Sequence, residues 1–239
     1  MAVLFVLKVL YKMKKLLIWD FDGVIADSEK LWVQAWNEIL ISEKNVKLSD
    51  IEKQELLVGV SDKTRRERLE KFLGITIDND FMNKIGEKEV FLGTNYMVAI
   101  DGVENVMANS NFEHCIATGA TADQHKWKMT QFQWIKNYMS EKDFFTVDMV
   151  EYGKPEPDLF LLAARTKNYN PKDCIVIGDS INDFIAAKNA GMECIAFVGA
   201  TGNNTKEYIN KCKNFGVFDV CDNMNLVNKS INNWFEKNK

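Results

Sequence analysis

Apolar residues in this chain follow two rhythms. Five short continuous runs, LLIWD (16–20), HCIAT (114–118), FFTV (144–147), CIVIGD (174–179) and CIAFV (194–198), are bounded by Gly, Asp or Pro. Runs of that kind predict strands buried on both faces. Helical spacing governs the stretches between the later runs, over 121–139, 157–167 and 183–190, and Gly191 stands where a helix is closed by a left-handed residue. Strand and helix in alternation predict an α/β fold with a doubly wound parallel sheet. Ligands of such sheets sit at the carboxyl ends of the strands.

Residues 28–95 break the alternation. EKLWVQAWNEIL (29–40), SDIEKQELLV (49–58), DKTRRERLEKFL (62–73) and NDFMNKIGEKEVFL (79–92) all read as helices. The expectation is an all-helical cap domain, 28–95, inserted after the first strand into a core made of 13–27 and 96–239. Trp32, Trp36 and Phe72 have helical spacing and read as the cap's own core. A final helix over 223–236, ending in Trp234 and Phe235, is expected to pack on the sheet. Residues 1–12 read as an optional extension before Met13: Lys8 interrupts their apolar run and the other charges come late, which argues against a signal peptide. Opening and closing of the cap is expected where the chain crosses between domains, near 24–28 and 94–101.

Composition narrows the classes of function. A chain of 239 residues fits one large α/β domain with an insert. Thirty basic residues against 34 acidic ones leave a net charge of -4, which argues against general nucleic-acid binding. No run of 18 apolar residues occurs, so no membrane span is expected. The five cysteines form no C-x-x-C pair and read as small buried hydrophobes of a reducing, cytoplasmic protein. His114 and His125 are too few and too scattered for a triad or a His-rich metal site. The chemistry is therefore expected to use carboxylates.

Four strand ends carry candidate groups. Asp20 and Asp22, two apart in DFDGVIADS, repel one another unless a cation stands between them, and magnesium prefers such hard oxygen donors. Gly23 allows a sharp turn beside a ligand. Thr118-Gly119 offers a hydroxyl and backbone N–H groups for a phosphate, while Thr121 reads as the cap of the next helix. Lys154 lies in GKPEPD, a loop stiffened by two of the chain's three prolines. Asp179 and Asp183 straddle a strand-to-helix turn in IGDSIND, where Asp183 alone would read as a helix cap and Asp179 is a costly charge without a cation.

In their order and spacing these four stretches resemble the haloacid dehalogenase-like (HAD) superfamily of phosphohydrolases, in its branch with a helical cap on a Rossmann-like core, over residues 14 to about 222. The resemblance implies Asp20 as nucleophile and Asp22 as general acid/base. It implies Thr118 and Lys154 as holders of the phosphoryl group, with Gly23 and Gly119 beside it. It also implies a magnesium ion on Asp20, Asp179, Asp183 and the Asp22 backbone carbonyl. The expected partner is a small phosphorylated metabolite met by a monomer or weak dimer.

Asp22 argues against dehalogenation, since the family's dehalogenases lack that second carboxylate. The stretch 19–36 and the motif LVGVS (57–61) also resemble β-phosphoglucomutase, which makes a sugar-phosphate mutase the alternative enzyme. That mutase carries a histidine in the first cap helix where this chain has Trp32, and an arginine where it has Asp62. Lys63, with Thr64 and Arg65, is the candidate cap cation for a substrate. A binding or regulatory module of this fold would be expected to lose the nucleophile or the metal carboxylates, and all are present here.

Overall fold

Leu16, Leu17, Ile18 and Trp19 are wholly buried, and the strand they form, β1, lies inside a six-stranded sheet. The structure is a computed structural model that describes residues 15–200 and 205–238; the expected extension over 1–12 lies outside the described residues. With β2 (Glu113–Thr118), β3 (Phe144–Thr146), β4 (Cys174–Gly178), β5 (Glu193–Phe197) and β6 (Asp219–Cys221), the sheet runs β3-β2-β1-β4-β5-β6, and every pairing is parallel. Leu16 is in register with Glu113 on one side and Cys174 on the other, so β1, β2 and β4 release their chains at the same edge. The order reverses at β1, and the crevice of a doubly wound sheet opens at that point.

Each face of the sheet has its own helix layer. Leu16, Ile18, Val176 and Ala196 pack with α7 (Asp158–Thr166), α8 (Ile181–Asn189) and α9 (Lys206–Asn214). Leu17, Trp19, Ile177 and Phe197 pack with α5 (Val103–Asn109) and α10 (Met224–Lys237), whose Trp234 is buried as expected. The five cysteines are free and buried.

Five elements depart from the sequence-based expectation. The helix expected over 121–139 stops at Lys128: α6 is Ala122–Lys128, and a 3₁₀ turn follows at Gln133–Asn137. Thr130 Oγ1 donates to the Trp127 carbonyl at 2.7 Å, a local bond that competes with the helix ladder, and the turn lets Phe132 and Ile135 reach the sheet. Strand β6 and helices α5 and α9 were not expected from the pattern, being short and only partly apolar. Val147 begins a 3₁₀ turn rather than ending β3.

Between β1 and α5 the chain forms α1 (Glu29–Lys44), α2 (Asp50–Leu56), α3 (Asp62–Leu73) and α4 (Asn79–Tyr96). Ser49, Ser61 and Asp78 cap the last three, accepting from the Glu52, Thr64 and Phe81 N–H groups. Trp36, Leu40, Leu57, Leu69, Phe81 and Ile85 belong to a hydrophobic cluster of this insert alone. Phe72 is 52% exposed and Trp32 packs with the sheet cluster, so of the three aromatics expected in the insert's core only Trp36 lies there. The two crossings run side by side: Asp27 N–H donates to Val98 O and Ile100 N–H to Ile25 O, both at 2.9 Å.

Candidate active site

The chain leaves β1 at Asp20, whose N–H donates to the Ile177 carbonyl at 2.9 Å and is thereby tied to β4. A tight turn follows, in which the Ile25 and Ala26 N–H groups both donate to Phe21 O at 2.9 Å. Gly23 sits there at φ +76°, and a Cβ on it would stand 2.1 Å from Asp179 Oδ2. Glycine is therefore required both by the backbone and by the neighbouring carboxylate. Asp20 Oδ1 accepts from Phe21 N–H at 2.7 Å and pairs with Lys154 Nζ at 2.9 Å. Asp22 turns another way: it accepts from Ser28 Oγ at 2.7 Å, Trp32 Nε1 at 3.3 Å and Lys128 Nζ at 2.5 Å.

Thr118 closes β2 and is buried, its Oγ1 accepting from Ala120 N–H at 3.1 Å, while Gly119 next to it is exposed to the cleft. Thr121 caps α6 in a capping box with Gln124, as the sequence predicts. Lys154 reaches in from its proline-bounded loop to Asp20, to Asp183 Oδ1 at 2.7 Å and to the Ala117 carbonyl at 3.3 Å. Asp183 has two uses. Its Oδ2 accepts from Ser180 N–H at 3.1 Å and from Ser180 Oγ, completing the cap of α8, while Oδ1 faces Lys154. Gly178 makes room for it, since a Cβ there would lie 2.5 Å from Asp183 Cβ.

Asp20, Asp179 and Asp183 are all buried and each places a carboxylate oxygen within 4.8 Å of the others. Burial and then the Asp183 charge push the Asp20 carboxyl up to about 7, against the pull of Lys154. Burial, with Asp183 and Asp20 beside it, also holds Asp179 well above the usual carboxylate range. For Lys154, burial works against the charge, but Asp183 and Asp20 outweigh it and raise its pKa. Burial would likewise raise Asp22, but the Lys128 charge and the bonds from Lys128, Ser28 and Trp32 outweigh it and hold Asp22 below the usual range. One ammonium group thus faces three converging carboxylates. The excess negative charge and the all-oxygen donor set fit a small hard divalent cation.

These groups floor a cavity of about 640 Å³ between the sheet edge and the insert. The insert contributes Glu29, Trp32, Asp62, Arg65 and Glu89 to its lining. Lys63 is exposed and is not among the lining residues; Arg65, two positions on, is. Two residues apart on a helix are on nearly opposite faces, which is why the first of the pair misses the cleft. Lys128 and Glu89 carried no sequence signal. Lys128 lies in the last turn of a helix that the pattern extends for three more turns, and Glu89 is one of many charged residues on α4.

A parallel α/β core with carboxylates and a lysine at its strand ends, and a helical insert above them, defines a capped hydrolase. Residues 17–197 match the haloacid dehalogenase-like hydrolase family, and the chain belongs to it. YhcW of Bacillus subtilis is 30% identical to it over 77% of this chain and 83% of its own. A phosphorylated carbohydrates phosphatase of Thermotoga maritima is 25% identical over 79% and 87%. The crystal structure of a haloacid dehalogenase-like protein of Agrobacterium tumefaciens superposes with a TM-score of 0.80 at 24% identity, covering 91% of this chain and 97% of that one.

Proposed function

We propose that this chain is a magnesium-dependent phosphohydrolase that cleaves a small phosphorylated metabolite, such as a sugar phosphate, through an aspartyl-phosphate. The observation that carries the reading is the convergence of buried Asp20, Asp179 and Asp183 within 4.8 Å, with Lys154 between two of them. The Thermotoga maritima relative, named for phosphorylated carbohydrates, supports the substrate class.

In this reading Asp20 is the nucleophile. Its Oδ1 is held by Phe21 N–H and Lys154, which leaves the other oxygen to form the bond to phosphorus while the ester P–O bond breaks. Thr118, the Gly119 backbone and Lys154 hold the phosphoryl oxygens. Asp22 protonates the departing oxygen, then takes a proton from the water that displaces Asp20 from phosphorus and restores the carboxylate. Lys128 holds Asp22 ionised in this structure, the form that accepts the water's proton. Donation to the leaving group requires the phosphoryl dianion beside Asp22 to counter Lys128. Asp20, Asp179, Asp183 and the Asp22 carbonyl would hold the magnesium ion, which supplies positive charge against the phosphoryl oxygens. Residues 28–95 act as a cap domain hinged on the paired crossings at 25–27 and 98–100.

The test is hydrolysis of p-nitrophenyl phosphate with and without magnesium. Wild type is expected to turn over only with the metal. Asp20→Asn, isosteric but a poor nucleophile, is expected to lose at least about a thousandfold. Turnover of Asp20→Asn within tenfold of wild type would sink the assignment.

A further inference from the structure

Each wall of the cleft carries more carboxylates than cations. On the sheet side Lys128 and Lys154 contact Asp22, Asp20 and Asp183. On the insert side Arg65 stands against Glu29, Asp62 and Glu89 as the one cation among the lining residues. Arg65 is buried and its charge is already matched. Its Nη1 pairs with Asp62 at 3.0 Å, its Nη2 with Glu29 at 3.1 Å, and its Nε donates to Leu57 O at 2.7 Å. Trp36 Nε1 donates to Asp62 at 3.0 Å and the Gly59 N–H to Glu29 at 2.7 Å. This wall therefore holds no spare positive charge for an anion.

Glu89 completes the wall and is unlike its neighbours. It lines the cavity half-buried, and it has no hydrogen-bond or ion-pair partner among the described residues. Burial and then the Asp62 charge push its carboxyl up to about 8, with Arg65 and Lys128 offsetting part of the effect. A carboxyl in that state both donates and accepts hydrogen bonds, and both capacities point to a ligand.

Resting on the phosphohydrolase reading, we propose that Glu89, backed by the Glu29–Arg65–Asp62 cluster, is a specificity-determining residue. It selects esters whose alcohol part is uncharged and bears hydroxyls, and it rejects esters with a second phosphate or a carboxylate. Hydroxyls satisfy the unpartnered Glu89 and the second carboxylate oxygens of Glu29 and Asp62, which line the same cavity. A second anion would be stripped of water against carboxylates whose one cation is already paired, a repulsion that discriminates without any contact specific to the right substrate.

Two matched pairs test this at fixed magnesium: glycerol 3-phosphate against 3-phosphoglycerate, and fructose 6-phosphate against fructose 1,6-bisphosphate. The uncharged-alcohol member of each pair is expected to have a kcat/KM at least tenfold higher, with the difference mainly in KM. Glu89→Leu keeps the bulk and removes both hydrogen-bonding capacities, and is expected to narrow both ratios at least threefold. Ratios within twofold in wild type overturn the proposal without any variant having to fold. Ratios unchanged in Glu89→Leu, or phosphoethanolamine preferred tenfold over glycerol 3-phosphate, overturn it as well. If p-nitrophenyl phosphate is hydrolysed with magnesium and none of the four esters is, this inference fails while the phosphohydrolase reading stands. If nothing is hydrolysed, both fall.

Discussion

Burial shifts the titration of several groups in this molecule, and those groups mark where charge is not yet balanced. It raises Asp20, Asp179 and Glu89 above the usual carboxylate range. His125 is a fourth of another kind: it is buried between Phe21 and Phe144, and neither ring nitrogen has a partner. Burial, helped by Lys128, pushes its pKa down to about 4. A depressed pKa means that the unfolded chain binds the proton first as pH falls. The contribution is fully present above about 6.5 and is lost as pH drops toward 4. The loss is at most about 2 kcal/mol at pH 5. His125→Phe, close in shape and apolar, is expected to be neutral or stabilising at pH 7.5 and to remove that loss. Urea melts of both proteins at pH 7.5 and 5 measure it. Equal pH dependence in wild type and variant would show that His125 is already charged or solvated in the fold.

At the scale of elements, the insert's stability is concentrated in its own small cluster. Trp36 is wholly buried there with Phe81 against its ring and its Nε1–H on Asp62, whereas Phe72 has half its surface in water. Trp36→Ala is expected to cost about 3–5 kcal/mol and Phe72→Ser less than about 0.5 kcal/mol. Comparable losses in chemical denaturation would refute this division of the insert's aromatics. Their spacing alone did not separate them, because a helical stripe says which residues share a face and not which faces are covered. The same limit explains Lys63 and Arg65: a cation at the start of α3 was legible, but which one meets the cleft depends on how α3 is rotated against α1 and α4. The strand ends were far more legible. Short continuous apolar runs bounded by turn residues read as strands covered on both faces, and parallel register then carries Asp20, Thr118 and Asp179 to one edge whatever the helices do. Lys128 was hidden for the opposite reason, since it is brought to Asp22 by a helix that ends three turns earlier than its pattern implies.

The whole molecule is built around an electrostatic deficit at the sheet's carboxyl edge, and magnesium is expected to stabilise the fold by filling it. The candidate ligands follow β1 and β4 and lie in α8, segments that converge only when the sheet is formed, so the unfolded chain should bind the ion hardly at all. Stability then rises by RT ln(1 + [L]/Kd), about 2.7 kcal/mol at a hundredfold excess over Kd. For a chain of this length that is a melting shift of roughly 5–10 °C. The shift should depend on pH with a definite sign. Asp20 is raised to about 7 and Asp179 well above its usual range, so without the ion they favour the folded state at low pH. That contribution is lost as pH rises through about 7. Binding must displace those protons, so the magnesium-induced shift should be small at pH 5.5 and complete at pH 8. His125 acts equally with and without the ion and drops out of the difference. Asp179→Asn should lose most of the shift, while Lys71→Ala, on the exposed side of α3, should keep it. Calcium should stabilise the same carboxylates and support little turnover, because its larger and looser shell spoils the in-line geometry. Thermal melts of wild type and both variants, with and without magnesium at the two pH values, decide the matter. Identical responses of wild type and Asp179→Asn would mean that the cation sits elsewhere, and the reaction assigned to this edge of the sheet would lose its electrostatic basis.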